Sequence, residues 1–180
     1  MTLKPTFDQK LPLRAAPSAN ARRAIPIADV QNPLLRKGLD VWTRAKGERR
    51  LPAREQITPR ALAEILRHTA LVRVIGDADD FEFRIVGDAI EQAKGISYKG
   101  MRMADIDRVS PGYGATLHGA YSRVCESREP AAFASTFERA LDRQTYFQES
   151  LCLPLGSDHE TVDHLLVMGV YATLKAPGSA

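Results

Sequence analysis

The stretch from Phe81 to Gly95, FEFRIVGDAIEQAKG, changes its hydrophobic period in the middle. Phe81, Phe83 and Ile85 are separated by single residues, which is the two-residue repeat of a strand with one apolar face. From Asp88 onward the apolar residues lie one, three or four positions apart, as they do on a helix. We expect Asp88 to cap this helix and Gly95 to end it. Such a short helix does not suggest a crossover to a parallel strand, so the stretch predicts an antiparallel sheet with a helical segment over one face.

The rest of the chain contributes further strands and helices. Apolar and alternating runs predict strands over residues 69–75, 131–140, 146–154 and 162–173, and helices beginning at residues 33, 59 and 111. The segment between Gly95 and Gly100, with Met101 and Met103 after it, is predicted to be a loop. The result is an α+β chain in which two strands precede the longest helix, which runs to about Arg128, and three follow it.

Length and composition limit the class of protein. The chain has 180 residues, of which 44% are hydrophobic, which suits one domain with a real core. It has no apolar run long enough to span a membrane and no continuous apolar segment of the secretory type at its start. Two cysteines, Cys125 and Cys152, are too few for a disulfide framework, so we interpret them as reduced thiols in a cytoplasmic protein.

The first residues differ in composition from the remainder. Residues 1–33 hold five basic and two acidic residues and five of the eleven prolines, whereas the remainder balances 20 basic with 20 acidic residues. We therefore expect residues 1–32 to be a flexible basic tail, either solubilising or a docking arm for an acidic partner, and residues 174–180 to be a frayed end. A body without net charge argues against a nucleic-acid-binding domain.

A helix is predicted from Pro33, because Asn32 is a good N-cap and proline is favoured at the first helical position. Leu35, Leu39 and Trp42 recur on one side of it. Two interpretations stay open for this stripe. It packs on its own domain, or it packs against a second copy and forms the interface of a homodimer.

Metal and catalytic motifs are weak. His159 and His164 enclose HETVDH, but their spacing of five residues does not place them on one helical face as a zinc helix requires. The sequence also has no GxSxG, no phosphate-binding glycine loop and no CxxC. We therefore predict neither catalytic nor metal-binding residues.

The order of elements is characteristic of PAS domains, and three segments are specific enough to name a family. WTRAKGERRLPAREQITP at 42–59, FRIVG at 83–87 and the closing LPLGSD with VDHLLVMGVY resemble the short single-domain PAS-like proteins common in alphaproteobacteria. The resemblance spans residues 34–172 and departs at Asp88, where a small hydroxyl residue is expected. It implies a PAS-like five-stranded antiparallel sheet over residues 33–173, with helices covering one face and N-terminal helices before it. It brings no catalytic residues and implies sensing or protein interaction.

A pocket under the covering helices is part of that resemblance. Side chains expected to line it come from the inner strand faces and the helices: Phe83, Ile85, Ile90, Tyr113, Leu117, His118, Tyr121, Phe133 and Phe137. His118 lies where haem-binding PAS domains take an axial ligand, but it has no companion motif. Cys125 lies too late on its helix for a flavin photosensor. We therefore predict neither haem nor flavin and leave the ligand open.

The functional expectation is a non-enzymatic sensory or interaction module that binds a small apolar ligand or a protein partner. It is expected to act through a protein partner or as a homodimer, without nucleic acid or membrane. Two alternatives remain: an interaction domain whose core is filled by side chains, and an enzyme that uses the same pocket for a small substrate.

Overall fold

A computed structural model describes residues 22–139 and 141–174. Six strands form one antiparallel sheet in the order β1-β4-β5-β6-β2-β3. The strands are β1 (Arg22–Ile25), β2 (Thr69–Ile75), β3 (Asp80–Val86), β4 (Ala131–Glu138), β5 (Thr145–Leu155) and β6 (His164–Thr173). The predicted α+β class is confirmed, and the five predicted strands are joined by a sixth, β1.

Four α-helices accompany the sheet: α1 (Pro33–Lys46), α2 (Asp88–Lys94), α3 (Met103–Val109) and α4 (Tyr113–Ser127). The predicted start of α1 is confirmed, because the Asn32 side chain accepts a hydrogen bond from the backbone N–H of Leu34 at 2.9 Å. The end of α2 at Gly95 is also confirmed, since this residue adopts the left-handed conformation with φ of 74°. Its predicted cap, Asp88, instead forms an ion pair with Arg67 at 2.9 Å.

Two helix predictions were wrong. The segment after Thr58 forms turns and a short 3₁₀ turn at Leu66–His68, because its backbone bonds mix three- and four-residue spacings. The loop predicted around Met103 contains α3, whose Ile106 is fully buried. The seven residues of α3 are too few to show a clear helical period, and they pack against α4.

The tail predicted over residues 1–32 includes residues that belong to the folded domain. Residues 22–25 form β1, which pairs with β4 from Arg22 opposite Ser135 to Ile25 opposite Ala132. Val30 is buried as well, with 1% of its surface exposed. The edge of β4 accepts this polar segment through backbone bonds, which do not require an apolar pattern. Residues 1–21 and 175–180 of the predicted tails lie outside the described residues.

Helix α1 packs on one face of the sheet, which we call the outer face. Leu35 is fully buried, and Trp42 is 4% exposed and donates from Nε1 to the carbonyl of Pro154 at 2.7 Å. A Cβ built on Gly38 would lie 2.0 Å from Sδ of Met168, so a larger residue at this position would force the buried Met168 side chain to move. Leu39 is partly buried against the same core. The burial of Leu35 and Trp42 favours the interpretation that the stripe packs on its own domain, and the homodimer stays a prediction.

Helices α2, α3 and α4 cover the opposite, inner face. Phe81 of β3 packs edge-to-face against Tyr121 of α4, with ring centroids 5.4 Å apart. Phe83 contacts the rings of Tyr98 and Tyr121 nearby. Further along the sheet, the helices stand away from β4 and β5, and this separation positions the site.

Candidate ligand cavity

A cavity of about 670 Å³ opens between the inner face of the sheet and the helices. Its volume lies within the range of small-molecule sites, roughly 300–1,000 Å³. Three parts of the chain form its wall: the end of α2 with the loop to Tyr98, the start of α4, and strands β1, β4 and β5. A void of about 20 Å³ lies beside it under Phe83 and Tyr121. Arg22, Lys94, Tyr98, Tyr113 and Gln148 border both spaces.

Six of the nine residues expected to line a pocket border one of these spaces. Tyr113 borders both, and Phe137 borders the large cavity. Four others border only the small void: Phe83, Ile90, Leu117 and Tyr121. The void is nearly filled by these side chains, so the open volume lies closer to β4 and β5 than the apolar pattern indicates.

Three expected lining residues lie elsewhere. Ile85 is 54% exposed, because the register of β2 and β3 shifts between Leu71 and Val72 and Arg84 becomes the extra residue of a bulge. The bulge turns Ile85 to the outer face. Phe133 is on the inner face but is covered by the Arg22 guanidinium, 4.6 Å from its ring centroid.

His118 also lies outside the cavity, on the side of α4 that faces the β2–β3 turn. Its Nε2 contacts the carbonyl of Asp79 at 3.0 Å, and its Nδ1 contacts Oγ of Ser122 at 3.4 Å. Its ring packs edge-to-face on Phe81. Both ring nitrogens therefore have protein partners, and the residue does not fit the role of an axial haem ligand.

Lys94, the last residue of α2, extends into the cavity wall. Its Nζ donates to Oε1 of Gln148 at 2.8 Å and lies 3.5 Å from the ring centroid of Phe137 and 4.6 Å from that of Tyr113. Burial lowers the pKa of the ammonium, Tyr113 opposes this effect, and the nearby charge of Arg22 adds to it. The cation is thus surrounded by aromatic rings and neutral polar groups.

Arg22 reaches the same region from β1. Its Nη2 donates to Oγ of Ser150 at 3.0 Å. Its Nε and Nη1 atoms are buried and have no hydrogen-bond partner. A buried guanidinium with unpaired donors is costly unless another group satisfies it.

The cavity tyrosines differ in acidity. Burial raises the pKa of Tyr98 and Tyr171 above the ordinary value. Burial also acts to raise the pKa of Tyr113, but Lys94 and Arg22 outweigh it and the net pKa of this phenol is lowered. The positive charges of Lys94 and Arg22 therefore favour the ionised form of the Tyr113 phenol.

Sequence reasoning missed Arg22, Lys94, Tyr98, Gln148 and Tyr171 as lining residues. Arg22 belonged to the predicted tail, and a lysine at the end of a short helix is typical of an exposed position that complements the helix dipole. One signal was available in β5, where the polar residues Gln148 and Ser150 lie at alternate positions and therefore on the same face of a predicted strand. Polar residues on the inner face of such a strand indicate a polar cavity.

A family model described as PAS domain matches residues 30–172, which is most of the chain. The chain belongs to the PAS domain family. The membership agrees with the α+β fold and with the covering helices of the inner face, whereas the bacterial group in which such chains are common stays a prediction.

Solved structures similar to this PAS chain include the "Structure of an RNA-binding Light-Oxygen-Voltage Receptor". The match has 14% sequence identity and a TM-score of 0.49, and it covers 87% of this chain. The PAS chain spans only 39% of the length of that protein. No curated protein matches the sequence.

The cysteines and histidines do not fit a cysteinyl flavin or a metal centre at the cavity. Neither Cys125 nor Cys152 borders it, and burial raises the pKa of Cys125 to about 12, so this side chain is a thiol at neutral pH. His159 contacts the carbonyl of Leu51, and His164 pairs with Asp163. Within residues 22–139 and 141–174, no three potential metal ligands cluster and no helix is long and apolar enough to cross a membrane.

Proposed function

We propose that this PAS domain is a non-enzymatic sensory module that binds a small molecule in the cavity between α2, α4 and the inner face of the sheet. The observation that supports it best is the cavity itself, since about 670 Å³ remains open in a domain whose outer face is closely packed. A bound molecule would contact α2, α4 and β4 together, so its arrival changes the contacts between the helical layer and the sheet. Signal output is assigned to a protein partner.

An interaction domain with a filled core is less compatible with this volume, although the small void under Tyr121 is nearly filled. The enzyme alternative has one observation in its favour, the lowered pKa of Tyr113 beside Lys94, because such a phenol can act as a general acid. Among the described wall residues, however, no histidine or cysteine joins it. Binding without conversion of the bound molecule is therefore the favoured function.

The test uses the neutral fluorescent dye Nile red and the full chain. We expect the wild type to bind the dye and Thr116→Trp to bind it at least about tenfold more weakly, a difference of about 1.4 kcal/mol, because the new indole occupies the cavity. Ala115→Trp is the matched control, since its side chain is exposed on the same helix and does not line the cavity.

Two results would overturn the proposal. One is that the wild type does not bind the dye, and the other is that Thr116→Trp and Ala115→Trp bind it equally. Mass spectrometry of the native purified protein adds a second measurement, which is the mass of any molecule retained by the wild type and lost in Thr116→Trp.

A further inference from the structure

Three cations border the cavity: Arg22, Lys94 and Arg139. Arg139 pairs with Asp142, whereas neither Arg22 nor Lys94 has an anionic partner among the described residues. Arg22 and Lys94 both border the large cavity and the small void next to it.

Arg22 donates to the neutral hydroxyl of Ser150. Lys94 donates to the neutral amide of Gln148, and the phenol of Tyr113 lies beside it as a further polar partner. Buried charges in proteins are usually paired, because removing a charge from water is costly.

No acidic side chain of the described wall can supply the missing charge. Glu138 is the one acid among the described lining residues, and it pairs with Arg143 at 2.9 Å. Glu149 is near in sequence, but β5 alternates, so it points to the outer face while Gln148 points to the cavity. Burial raises the pKa of Glu149, which favours its neutral form. The end of α2 offers partial negative charge to Lys94. Among the described residues, the Arg22 guanidinium faces the ring of Phe133 and the hydroxyl of Ser150.

The unpaired N–H donors of Arg22 indicate where an anion could bind. Its Nε and Nη1 are buried without a partner, and Nη2 already donates to Ser150. An anion beside these donors would satisfy them through charge-assisted hydrogen bonds, and guanidinium matches a carboxylate in shape. The adjoining void, of about 20 Å³, is large enough for a group the size of one water molecule. A carboxylate held by Arg22 would therefore extend from this void into the large cavity, which Arg22 also borders.

The remainder of the cavity has the character of an apolar binding site. Tyr98, Tyr113 and Phe137 present aromatic rings to it, and the exposed side chains of Val109 and Leu141 stand at its wall. A ligand that carries only charge would leave this surface uncovered. The wall therefore fits a molecule with a charged end and an apolar body.

We propose that the cavity binds an organic carboxylate, with the carboxylate between Arg22 and Lys94 and the apolar body against Tyr98, Tyr113 and Phe137. This inference rests on the proposed function and specifies the class of ligand. It replaces the purely apolar ligand that the sequence predicts, because the sequence places Arg22 in a tail.

The test compares two competitors of nearly the same shape, the anion biphenylcarboxylate and the neutral biphenylcarboxamide, each displacing Nile red from the full chain. We expect the acid to bind at least about tenfold more tightly than the amide, since hydrogen bonds to charged groups contribute more than neutral ones. Arg22→Met and Lys94→Met should each reduce this preference. The matched controls are Arg23→Met and Lys99→Met, which remove exposed charges beside each site residue and should leave the preference unchanged.

The outcomes separate the two proposals. Failure of the wild type to bind Nile red would overturn the proposed function and this inference with it. Dye binding with equal competition by acid and amide, with no competition by the acid, or with a preference that survives both site variants would overturn the inference alone. Displacement by inorganic phosphate as effective as that by the acid would also overturn it. Arg22→Lys, which keeps the charge, should retain the preference for the acid over the amide. If Arg22→Met does not fold, Arg22→Lys is compared with Lys94→Met, which should show a reduced preference.

Discussion

On the outer face of the sheet, α1 lies so close to β6 that a methyl group on Gly38 would force the Met168 side chain to move. On the inner face, α2 and α4 stand apart from β4 and β5 and leave about 670 Å³ open. The outer face buries Leu35 and Trp42 and satisfies the indole N–H with a backbone carbonyl. The inner face instead buries parts of Arg22 and Lys94 among neutral groups. The comparison indicates that the outer face stabilises the domain, whereas the inner face holds buried polar atoms that the proposed ligand would satisfy.

The largest effect is expected at Trp42. Trp42→Ala should lower the free energy of unfolding by about 3–5 kcal/mol, because it leaves a cavity on the outer face and an unpaired carbonyl at Pro154. Urea unfolding followed by circular dichroism measures it. Trp42→Phe keeps most of the apolar volume and should cost less. If Trp42→Ala lowered the free energy of unfolding by less than about 1 kcal/mol, the conclusion that the outer face stabilises the domain would be wrong.

An intermediate effect is expected when residues 1–31 are deleted. The deletion removes β1 and the buried Val30, so the free energy of unfolding should fall by about 2 kcal/mol or more. Thermal unfolding of the deleted and full-length chains measures the change, and Val30→Ala in the full chain separates the part that is due to this side chain. Equal melting temperatures would show that the segment contributes nothing to stability, as its composition alone predicts.

The smallest effect is expected at Lys94. Lys94→Met should leave the free energy of unfolding within about 1 kcal/mol of wild type or raise it, because replacing a buried charge with an apolar chain removes a desolvation cost. Lys99→Met, on the surface nearby, supplies the control value for the loss of one charge. A decrease of more than about 2 kcal/mol would show that Lys94 stabilises the empty domain and that the inner face is structural like the outer one.

Local patterns in the sequence predicted much of the fold. The cap at Asn32, the stripe of α1 and the period change between β3 and α2 each lie within a few residues, and each predicted its element correctly. The strand β1 could not be found in this way, since its four residues include two arginines and its pairing is determined by the distant edge of β4. Helix α3 depends on its packing against α4 in the same manner.

The site was harder to predict than the fold. Tyr113 and Phe137 were expected from the inward alternation of their elements, and both line the cavity. Arg22 and Lys94 lie 72 residues apart in the chain and meet only after β1 has paired with β4. The bulge at Arg84 also reversed the orientation of Ile85, because one extra residue in a strand exchanges its two faces. The alternation of apolar residues along one strand cannot reveal such an insertion, because a bulge is defined by the pairing with the neighbouring strand.

The position of Arg22 on β1 has a thermodynamic consequence. This strand has four residues and one neighbour, β4, so the guanidinium at the cavity is carried by a short edge of the sheet. If the proposed ligand is held by Arg22, binding would stabilise the pairing of β1 with β4. By reciprocity, detachment of β1 would lower the ligand affinity by the same free energy. A force or partner that acts on the N-terminal strand would then change the affinity of the cavity.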